Sequence, residues 1–354
     1  MSGLCIRQAI RRGSFALDVD LNLPTRGVTA LFGASGCGKT SLLRAVAGLD
    51  HYPGGLIRLN DTVWQDGNLF VPAHRRALGY VFQEDNLFSH LDVRGNLRFA
   101  ARTTGMDNAN LERLIDILAL APLLARRPDS LSGGQRQKVA VARALALQPA
   151  LLLFDEPLSG LDRAFKQEFL PQLKSLLDQQ LMPLLYVSHA MDEVAQLADH
   201  LVLVDHHGTI RTGAVSDLLT APTEGLATRA DAESLIQTRV EAWDPEYHLL
   251  SLNFSGGQLC VSGPQQAPGT PLRLRILAQD VSLTLTQQQD TSILNICPAR
   301  VLEIFPFDPA QDTVLLDLGG THLLARLTRK SREALQLAPG KAVYAQIKGV
   351  AVLR

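Results

Sequence analysis

Eight consecutive residues of the chain have the spacing of a phosphate-binding loop. Gly33 and Gly38 enclose four residues, and Lys39 and Thr40 follow directly, which is the pattern GxxxxGK[ST]. Glycines allow backbone conformations that turn successive N–H groups inward, so such a loop can hold phosphate oxygens. Lys39 is expected to reach the β- and γ-phosphates of a nucleotide, and Thr40 to place its hydroxyl on Mg²⁺. The residues predicted to contact the nucleotide here are Gly33, Ala34, Ser35, Gly36, Cys37, Gly38, Lys39, Thr40 and Ser41.

A second group of candidate residues lies at the end of an apolar run. Residues 151–154 are wholly apolar, as short buried strands are, and the run ends at Asp155 and Glu156. At such a strand end, Asp155 can hold Mg²⁺ through its carboxylate oxygens. Glu156 is expected to accept a proton from an attacking water or to orient it. The alternative is that both acids only cap the strand, but a phosphate loop in the same chain favours nucleotide hydrolysis.

The elements that must position these residues alternate between strands and helices. Residues 28–32 are predicted to form a buried strand that runs into Gly33, and residues 41–48 a helix that follows the loop. Further helices are predicted over 109–120, 135–147 and 192–198, and further strands over 184–187 and 201–204. This alternation over about the first 220 residues predicts an α/β sheet fold.

The character of the sequence changes after residue 221. Short alternating apolar runs, separated by turns such as Gly319-Gly320, predict a small all-β region of OB-like barrel type. These runs lie at 249–254, 272–276, 281–285, 299–304, 313–318 and 343–347. The predicted organisation is a first domain over 1–229, a linker with a first β unit over 230–288, and a small barrel over 289–354.

The composition excludes several classes of protein. Hydrophobic residues make up 46% of the 354 residues, charged residues 19%, and the formal net charge is −1. Without a basic excess, a nucleic-acid partner is disfavoured. No apolar run approaches the roughly 18–20 residues that cross a bilayer, and the N-terminus lacks a signal-peptide pattern. Four cysteines without CxxC spacing predict a reduced, cytosolic protein without a zinc site. The basic pair Arg75-Arg76 is interpreted as surface charge.

Four further sequence features complete a recognisable set. They are Gln83, the segment Leu131-Ser132-Gly133-Gly134-Gln135, Asp162 in a Ser-Gly-Leu-Asp run, and His189 after a β-rich run. With the phosphate loop and Asp155-Glu156, their order and spacing resemble an ABC transporter ATPase subunit over the first 220 residues. The resemblance implies an α/β P-loop ABC ATPase domain that binds ATP and Mg²⁺ and pairs head to tail with a second copy.

The resemblance also implies a role for each of these features. Ser132, Gly133, Gly134 and Gln135 of one copy would complete the ATP site held by Lys39 of the other. Asp162 would communicate across the dimer, and His189 would contact the γ-phosphate as part of the catalytic set. Gln83 would sense both Mg²⁺ and the attacking water and connect the site to a membrane partner. Residues 86–97, which follow it, would receive a helix of the permease. Phe15 is expected either to stack on the adenine or to belong to the core, with neither favoured.

The tail carries a second resemblance. The stretches 291–295, 299–301, 327–329 and 344–348 are similar to the molybdate-binding Mop-type domain, a small β-barrel. A tetrahedral dianion suits hydroxyl and N–H donors with one or two cations, so Ser292, Thr328 and Lys348 are the candidate oxyanion contacts. The alternative is that the barrel only braces the dimer or binds regulatory proteins.

Together the two resemblances point to the ATP-hydrolysing subunit of a bacterial molybdate importer. Such a subunit is a homodimer that lies peripherally on the cytoplasmic face of the inner membrane, beneath two permease subunits, with a periplasmic molybdate-binding protein delivering the anion. The alternatives are an importer for sulfate, iron, sugar or polyamine, a soluble nucleic-acid-associated ABC ATPase, and a regulatory molybdate sensor. A second phosphate loop and a long heptad arm are both missing from the sequence, which disfavours tandem translation-type and chromosome-type ATPases.

Overall fold

The computed structural model describes residues 3–13, 15–84, 86–179, 182–205, 208–222 and 225–353. It divides into two compact units, Met1–Gly213 and Ala214–Arg354. The boundary therefore lies before position 229, where the sequence placed it. The reason is a short helix, Val215–Thr220, which contacts two strands of the second unit, Glu233–Asp244 and Thr321–Thr328.

The first unit alternates strands and helices as predicted. Its strands are β1 Leu4–Arg12, β2 Phe15–Leu23, β3 Gly27–Gly33, β4 Leu56–Leu59, β5 Thr62–Asp66, β6 Leu69–Phe70, β7 Leu78–Val81, β8 Leu151–Asp155, β9 Pro183–Ser188, β10 His200–Val204 and β11 Ile210–Ala214. Its helices are α1 Lys39–Ala47, α2 Val93–Thr104, α3 Asn108–Ile117, α4 Gly133–Ala146, α5 Arg163–Gln179 and α6 Met191–Leu197. Among the described residues, no helix of the chain is long and apolar enough to cross a membrane.

A six-stranded sheet positions the candidate site. Its order is β11-β10-β3-β9-β8-β7, and the contacts from β10 through β7 are parallel. Every residue of β8 and β9 is buried, as expected for central parallel strands covered on both faces. The carboxyl ends of β3, β7, β8 and β9 therefore meet at one edge of the sheet. A second, antiparallel sheet of order β2-β1-β4-β5-β6 shares an apolar core with α1 and the central strands.

The second unit is all-β apart from short helices. Its strands are β12 Glu233–Asp244, β13 Leu249–Phe254, β14 Gly257–Ser262, β15 Pro271–Leu277, β16 Val281–Thr284, β17 Asn295–Pro306, β18 Gln311–Leu318, β19 Thr321–Thr328, β20 Ala342–Ile347 and β21 Ala351–Leu353. Its α-helices are α7 Val215–Thr220 and α8 Arg329–Ala334. The strands form two five-stranded sheets, β14-β13-β12-β15-β21 and β16-β20-β17-β18-β19.

These two sheets exchange one strand each. β16 precedes the predicted boundary at residue 288 yet pairs with β20 in the later sheet, and the terminal β21 pairs with β15 in the earlier one. One apolar core takes residues from both sheets, among them Leu252 and Ile276 from one and Val301 and Leu316 from the other. The division at residue 288 thus separates strands that the fold joins. The short strands β16 and β21 thus pair with β20 and β15, which are distant from them in sequence, and no local sequence signal predicts these pairings.

Candidate functional site

The phosphate loop joins the end of β3 to the start of α1. Gly36 and Gly38 have φ angles of 83° and 94°, in the left-handed region that favours glycine. A Cβ at Gly38 would also lie 2.5 Å from Cζ of Phe15, so this position needs glycine for space as well as for conformation. The loop turns directly into the first turn of α1, where the helix dipole favours an anion.

The side chain of Lys39 lies folded inside this loop. Its residue is only 5% exposed, and Nζ donates to the carbonyl oxygens of Gly33 at 2.8 Å and Ala34 at 2.7 Å. The sulfur of Cys37, which is also buried, lies 3.6 Å from the same nitrogen. The loop therefore presents its own N–H groups and one preorganised ammonium group, which is the donor set that a polyphosphate needs.

The loop is joined to the end of β8 by a hydrogen bond. Thr40 Oγ1 donates to Asp155 Oδ1 at 2.9 Å. The second carboxylate oxygen of Asp155 accepts from the hydroxyl of Tyr80 at 3.0 Å. Burial, reinforced by the neighbouring Asp155, raises the pKa of Tyr80 far above its usual value, so this hydroxyl stays a donor. Sequence reasoning missed Tyr80. Its only signal was its place on a strand-like run, and the pairing of β7 with β8 could not be foreseen from that.

Glu156 and His189 come together beside the same loop. His189 Nδ1 lies 3.2 Å from Glu156 Oε2, although 33 residues separate them along the chain. Glu156 has a φ of 47°, which a non-glycine residue rarely adopts, and its N–H donates to Val187 O at 3.1 Å. Such backbone strain is typical of functional positions, where the surrounding structure must hold it. The neighbouring strand β9 supplies this support.

A cavity of about 310 Å³ lies over the phosphate loop. Phe15 lines it and also packs against the core, so both predicted roles of its ring are compatible with its place. Arg12, which sequence reasoning did not single out, brings a positive charge to the rim. Among the described residues, the lining set contains no member of the segment 131–135; it is Arg12, Phe15, Ser35, Gly36, Gly38, Lys39, Thr40, Ser41 and Glu156.

The segment 131–135 instead begins helix α4. Ser132 accepts from the N–H of Gln135 at 3.3 Å, and Gln135 accepts from the N–H of Ser132 at 3.1 Å, which is a capping box. A Cβ at Gly134 would lie 2.6 Å from the ring of Phe165, so glycine is required there for helix α5 to pack closely. Asp162 accepts from the N–H of Phe165 at 2.8 Å and so begins α5. Helices α4 and α5 thus hold Ser132 and Asp162 in defined positions.

Gln83 lies at the carboxyl end of β7, exposed, two residues beyond Val81, which pairs with Phe154. It is therefore at the same sheet edge as Asp155. Its neighbour Asp85 lies outside the described residues. Within residues 86–97, the predicted permease contact, the side-chain amide of Asn96 is fully buried. It accepts from the N–H of Phe88 at 2.9 Å and donates to the carbonyl oxygen of Phe88 at 3.1 Å.

The interpretation of Arg76 as surface charge is wrong. Arg76 is only 5% exposed, and its guanidinium donates to the carbonyl oxygens of Ala45 at 3.1 Å, Val46 at 2.6 Å and Val71 at 2.7 Å. It lies over the ring of Trp64, 5.5 Å from the centroid, and burial lowers the pKa of Arg76 to about 10. The side chain thus donates to two carbonyl oxygens in the last turn of α1, the helix that begins with the phosphate loop; that of Ala45 also accepts from the N–H of Gly48 at 3.0 Å.

The three candidate oxyanion residues of the tail are all exposed. Lys348 follows β20 and Ser292 precedes β17, at the end of the sheet where Ile347 pairs with Asn295. Thr328 ends β19 opposite Gln311, at the other end of the same sheet. There it caps α8 by accepting from the N–H of Ser331 at 3.1 Å. The three side chains of one chain therefore do not converge on one pocket.

The geometry of the first unit defines a class of protein before any comparison: a P-loop ATPase with an acidic strand end and a histidine beside the nucleotide cavity. The ABC transporter family matches residues 16–159, and the TOBE domain matches residues 291–353. A solved structure described as the dimeric form of a bacterial ABC transporter cassette superposes with a TM-score of 0.51 at 23% identity. It covers 60% of this chain and 98% of that one, and it supports the fold.

Curated relatives match nearly the whole chain. The molybdenum import ATP-binding protein of Thiobacillus denitrificans is 50% identical over 342 residues, which are 96% of this chain and 94% of the relative. The molybdenum import ATP-binding protein 1 of Azotobacter vinelandii is 47% identical over 356 residues, 99% of each chain. The chain therefore belongs to the ABC transporter family, in the branch of these molybdenum import ATP-binding proteins. The predicted fold class, an ABC ATPase domain followed by a small all-β barrel-like domain, is confirmed.

Proposed function

We propose that this chain is the ATP-hydrolysing subunit of a molybdate importer. The observation that carries the proposal is the similarity to molybdenum import ATP-binding proteins over both units at once, at 50% identity for one of them. The first unit alone would not distinguish importers of different cargo, so the extension of this similarity through the tail, where residues 291–353 match a TOBE domain, supports the proposal. ATP hydrolysis then drives oxyanion uptake through a separate permease.

The proposed hydrolysis uses the residues grouped at the sheet edge. The loop N–H groups and Lys39 bind the phosphates, while Glu156 orients the attacking water or accepts its proton. The proposed γ-phosphate contact is His189, and its Nδ1 lies 3.2 Å from Glu156 Oε2. Both are side chains whose position is fixed by strand ends, which suits a reaction that depends on orientation.

Mg²⁺ fits the donors that the loop and β8 provide. Thr40 Oγ1 and Asp155 Oδ1 are hard oxygen ligands only 2.9 Å apart, and Gln83 at the same edge is the third proposed contact. Among the described residues, no group of three or more His, Cys, Asp or Glu could hold a metal by itself. The remaining ligands would therefore come from nucleotide and water, as is usual for Mg²⁺ with phosphates. When bound, the ion would neutralise phosphate charge.

We infer that the working unit is a homodimer. Ser132 and the N–H groups of Gly133 and Gly134 form a preorganised helix start, yet they do not line the nucleotide cavity of their own chain. A helix N-terminus is suited to an anion. In a head-to-tail pair, Ser132–Gln135 of one copy would cover the nucleotide on the other, with Asp162 between them.

The proposed assembly places this homodimer on the cytoplasmic face of the inner membrane. Two permease subunits would contact it near Gln83 and residues 86–97, and a periplasmic molybdate-binding protein would deliver the anion. The oxyanion contacts proposed in the tail are Ser292, Thr328 and Lys348. Since Thr328 lies at the other end of the sheet from Ser292 and Lys348, all three could meet one anion only if a second copy supplied part of the site.

Transport assays with the native permease and binding protein test the proposal. We expect ATP-dependent accumulation of molybdate in proteoliposomes, unchanged by a large excess of sulfate. Accumulation of sulfate, iron, a sugar or a polyamine instead of molybdate would replace the cargo. Failure to co-purify with any membrane protein, together with nucleic-acid-stimulated ATPase activity, would favour the soluble alternative. Molybdate uptake that does not depend on ATP hydrolysis would favour a regulatory sensor.

A further inference from the structure

Next to the segment that carries His189 lies a buried carboxylate, that of Glu193, which has no role in the proposed ATP hydrolysis. Glu193, on α6, is only 2% exposed. Its Oε2 accepts from the hydroxyl of Tyr186 at 2.7 Å and from that of Ser188 at 2.8 Å, and its Oε1 accepts from Lys166 Nζ at 2.7 Å. Burial, reinforced by Glu193, raises the pKa of Tyr186 well above its usual value, so its hydroxyl remains a donor. Both carboxylate oxygens of Glu193 therefore accept hydrogen bonds.

The cluster holds the backbone on both sides of His189. Ser188, which precedes His189, donates to Glu193 and also accepts from the N–H of Ala190, which follows it, at 3.0 Å. The His189 side chain is 58% exposed, and its Nδ1 lies 3.2 Å from Glu156 Oε2. Its position therefore depends on the backbone that Ser188 and Glu193 fix.

The same cluster reaches the helix that follows Asp162. Lys166 lies in the first turn of α5, and its N–H donates to Asp162 O at 3.2 Å. The side chain of Asp162 caps that turn. One ion pair, Lys166–Glu193, thus joins the segment that begins at Asp162 to the segment that carries His189.

We propose that Lys166 and Glu193 are positioning residues that couple the placement of His189 to the helix beginning at Asp162. A buried carboxylate without its cation is strongly disfavoured, so α5 and the His189 segment must keep their mutual position or shift together. A displacement of Asp162, the residue placed between two copies, is then transmitted to the γ-phosphate contact. This inference rests on the proposed ATP hydrolysis, because it needs His189 to act on bound nucleotide.

The test is Lys166→Met in the full-length protein, with Lys174→Met as matched control. Lys174 is on the same helix, and its side chain is 17% exposed against 20% for Lys166. It also pairs with carboxylates, those of the more exposed Asp178 at 2.9 Å and Asp199 at 3.4 Å. We expect Lys166→Met to lower kcat for ATP about tenfold with KM changed less than about twofold, as for a misplaced catalytic group. Lys174→Met should change neither by more than about twofold.

A double-mutant cycle with His189→Ala shows whether Lys166 acts through His189. In that background Lys166→Met should lower the residual kcat by less than about twofold, because the group it positions is gone. Equal losses with and without His189 would overturn the inference, as would Lys166→Met and Lys174→Met behaving alike. If Lys166→Met lowers the melting temperature, Lys166→Met/Glu193→Gln removes the unpaired charge, and the kcat loss should persist. Absence of ATP hydrolysis by the unmodified protein together with its permease would instead refute the proposed hydrolysis itself.

Discussion

The two units of the chain place their candidate ligand-binding residues in opposite ways. In the first unit, Lys39, Asp155 and Glu156 lie at one sheet edge, and each contacts a partner contributed by a different element of the chain. In the tail, Ser292 and Lys348 are exposed at one end of a sheet and Thr328 at the other. The first arrangement is fixed before a ligand arrives, whereas the second is not.

This difference indicates how each region can bind. Hydrogen-bonded polar groups in a partly buried setting keep their geometry, so the phosphate-loop site needs little rearrangement to bind a ligand. Exposed side chains at separate sheet ends have no such preorganisation, so an oxyanion site in the tail would have to be built with another copy. The segment 131–135 at the start of α4 does not line the cavity over the phosphate loop, but its capping box gives it a defined geometry as well.

The largest effect is expected from replacing Glu156, the proposed catalytic carboxylate of the preorganised site. Glu156→Gln keeps the size of the side chain and its backbone contact to Val187 O but removes the base. We expect ATP turnover to fall by about 100-fold or more, as for loss of general base catalysis. ATP affinity should be unchanged, and the protein should accumulate as an ATP-bound dimer. Turnover by a coupled phosphate assay and mass by light scattering measure the two outcomes.

The control for this variant is Glu112→Gln, which alters an exposed glutamate 3.9 Å from Arg94 on the same unit. It should leave turnover and oligomeric state unchanged. Normal multiple-turnover hydrolysis by Glu156→Gln would show that the strained strand end serves the fold rather than the reaction. The contrast between the two units would then lose its functional meaning.

A smaller effect is expected at Arg76, which was predicted to lie at the surface but is buried in the structure. Arg76→Met removes the donors to Ala45 O and Val46 O at the end of α1, so the first unit should lose about 2–3 kcal/mol of unfolding free energy. The chain has two tryptophans, and Trp64 lies in this unit. In a Trp243→Phe background, denaturant unfolding followed by fluorescence therefore reports on the first unit alone.

Arg75→Met is the matched control, since Arg75 is the adjacent basic residue and is exposed. Its replacement should change the same free energy by less than about 0.5 kcal/mol. Similar losses from both variants would mean that the carbonyls at the end of α1 do not depend on Arg76. In that case the phosphate-loop helix is held mainly by its apolar face.

The same pair of arginines shows what the sequence could and could not predict. The phosphate loop, the buried strand before Asp155 and the all-β tail follow from spacing and periodicity, which are local. Whether Arg76 is buried depends on Val71 and on the end of α1, about 30 residues away, and no local pattern records that. The chemistry of the loop was predictable because glycines and a lysine at fixed spacing are themselves the signal.

Contacts between distant elements account for the other omissions. Tyr80 meets Asp155 only because β7 pairs with β8, and Glu193 meets Lys166 only because α5 packs against α6. In the tail, the pairing of β16 with β20 and of β21 with β15 crosses the predicted boundary at residue 288. Periodicity identifies which residues face a core, but it does not identify which neighbour they meet there.

The smallest expected effect concerns Thr328, whose two proposed roles can be separated. As the cap of α8 it accepts from the N–H of Ser331, so Thr328→Ala should cost the tail about 1 kcal/mol of unfolding free energy. Thr328→Ser keeps the hydroxyl and should cost much less. Trp243 lies in the tail, partly buried, and donates to Gly263 O at 3.1 Å. In a Trp64→Phe background it reports on the unfolding of this unit.

Adding molybdate to the same titrations tests the oxyanion contact, because a ligand stabilises only the state that binds it. If Thr328 and Lys348 face one anion across two copies, Thr328→Ala and Lys348→Ala should each reduce the stabilisation by molybdate, and that stabilisation should grow with protein concentration. Thr328→Ser should retain it. A molybdate effect that is unchanged in both alanine variants would leave Thr328 only its role as a helix cap. The contrast would then be sharper still, with preorganised ligand binding confined to the first unit.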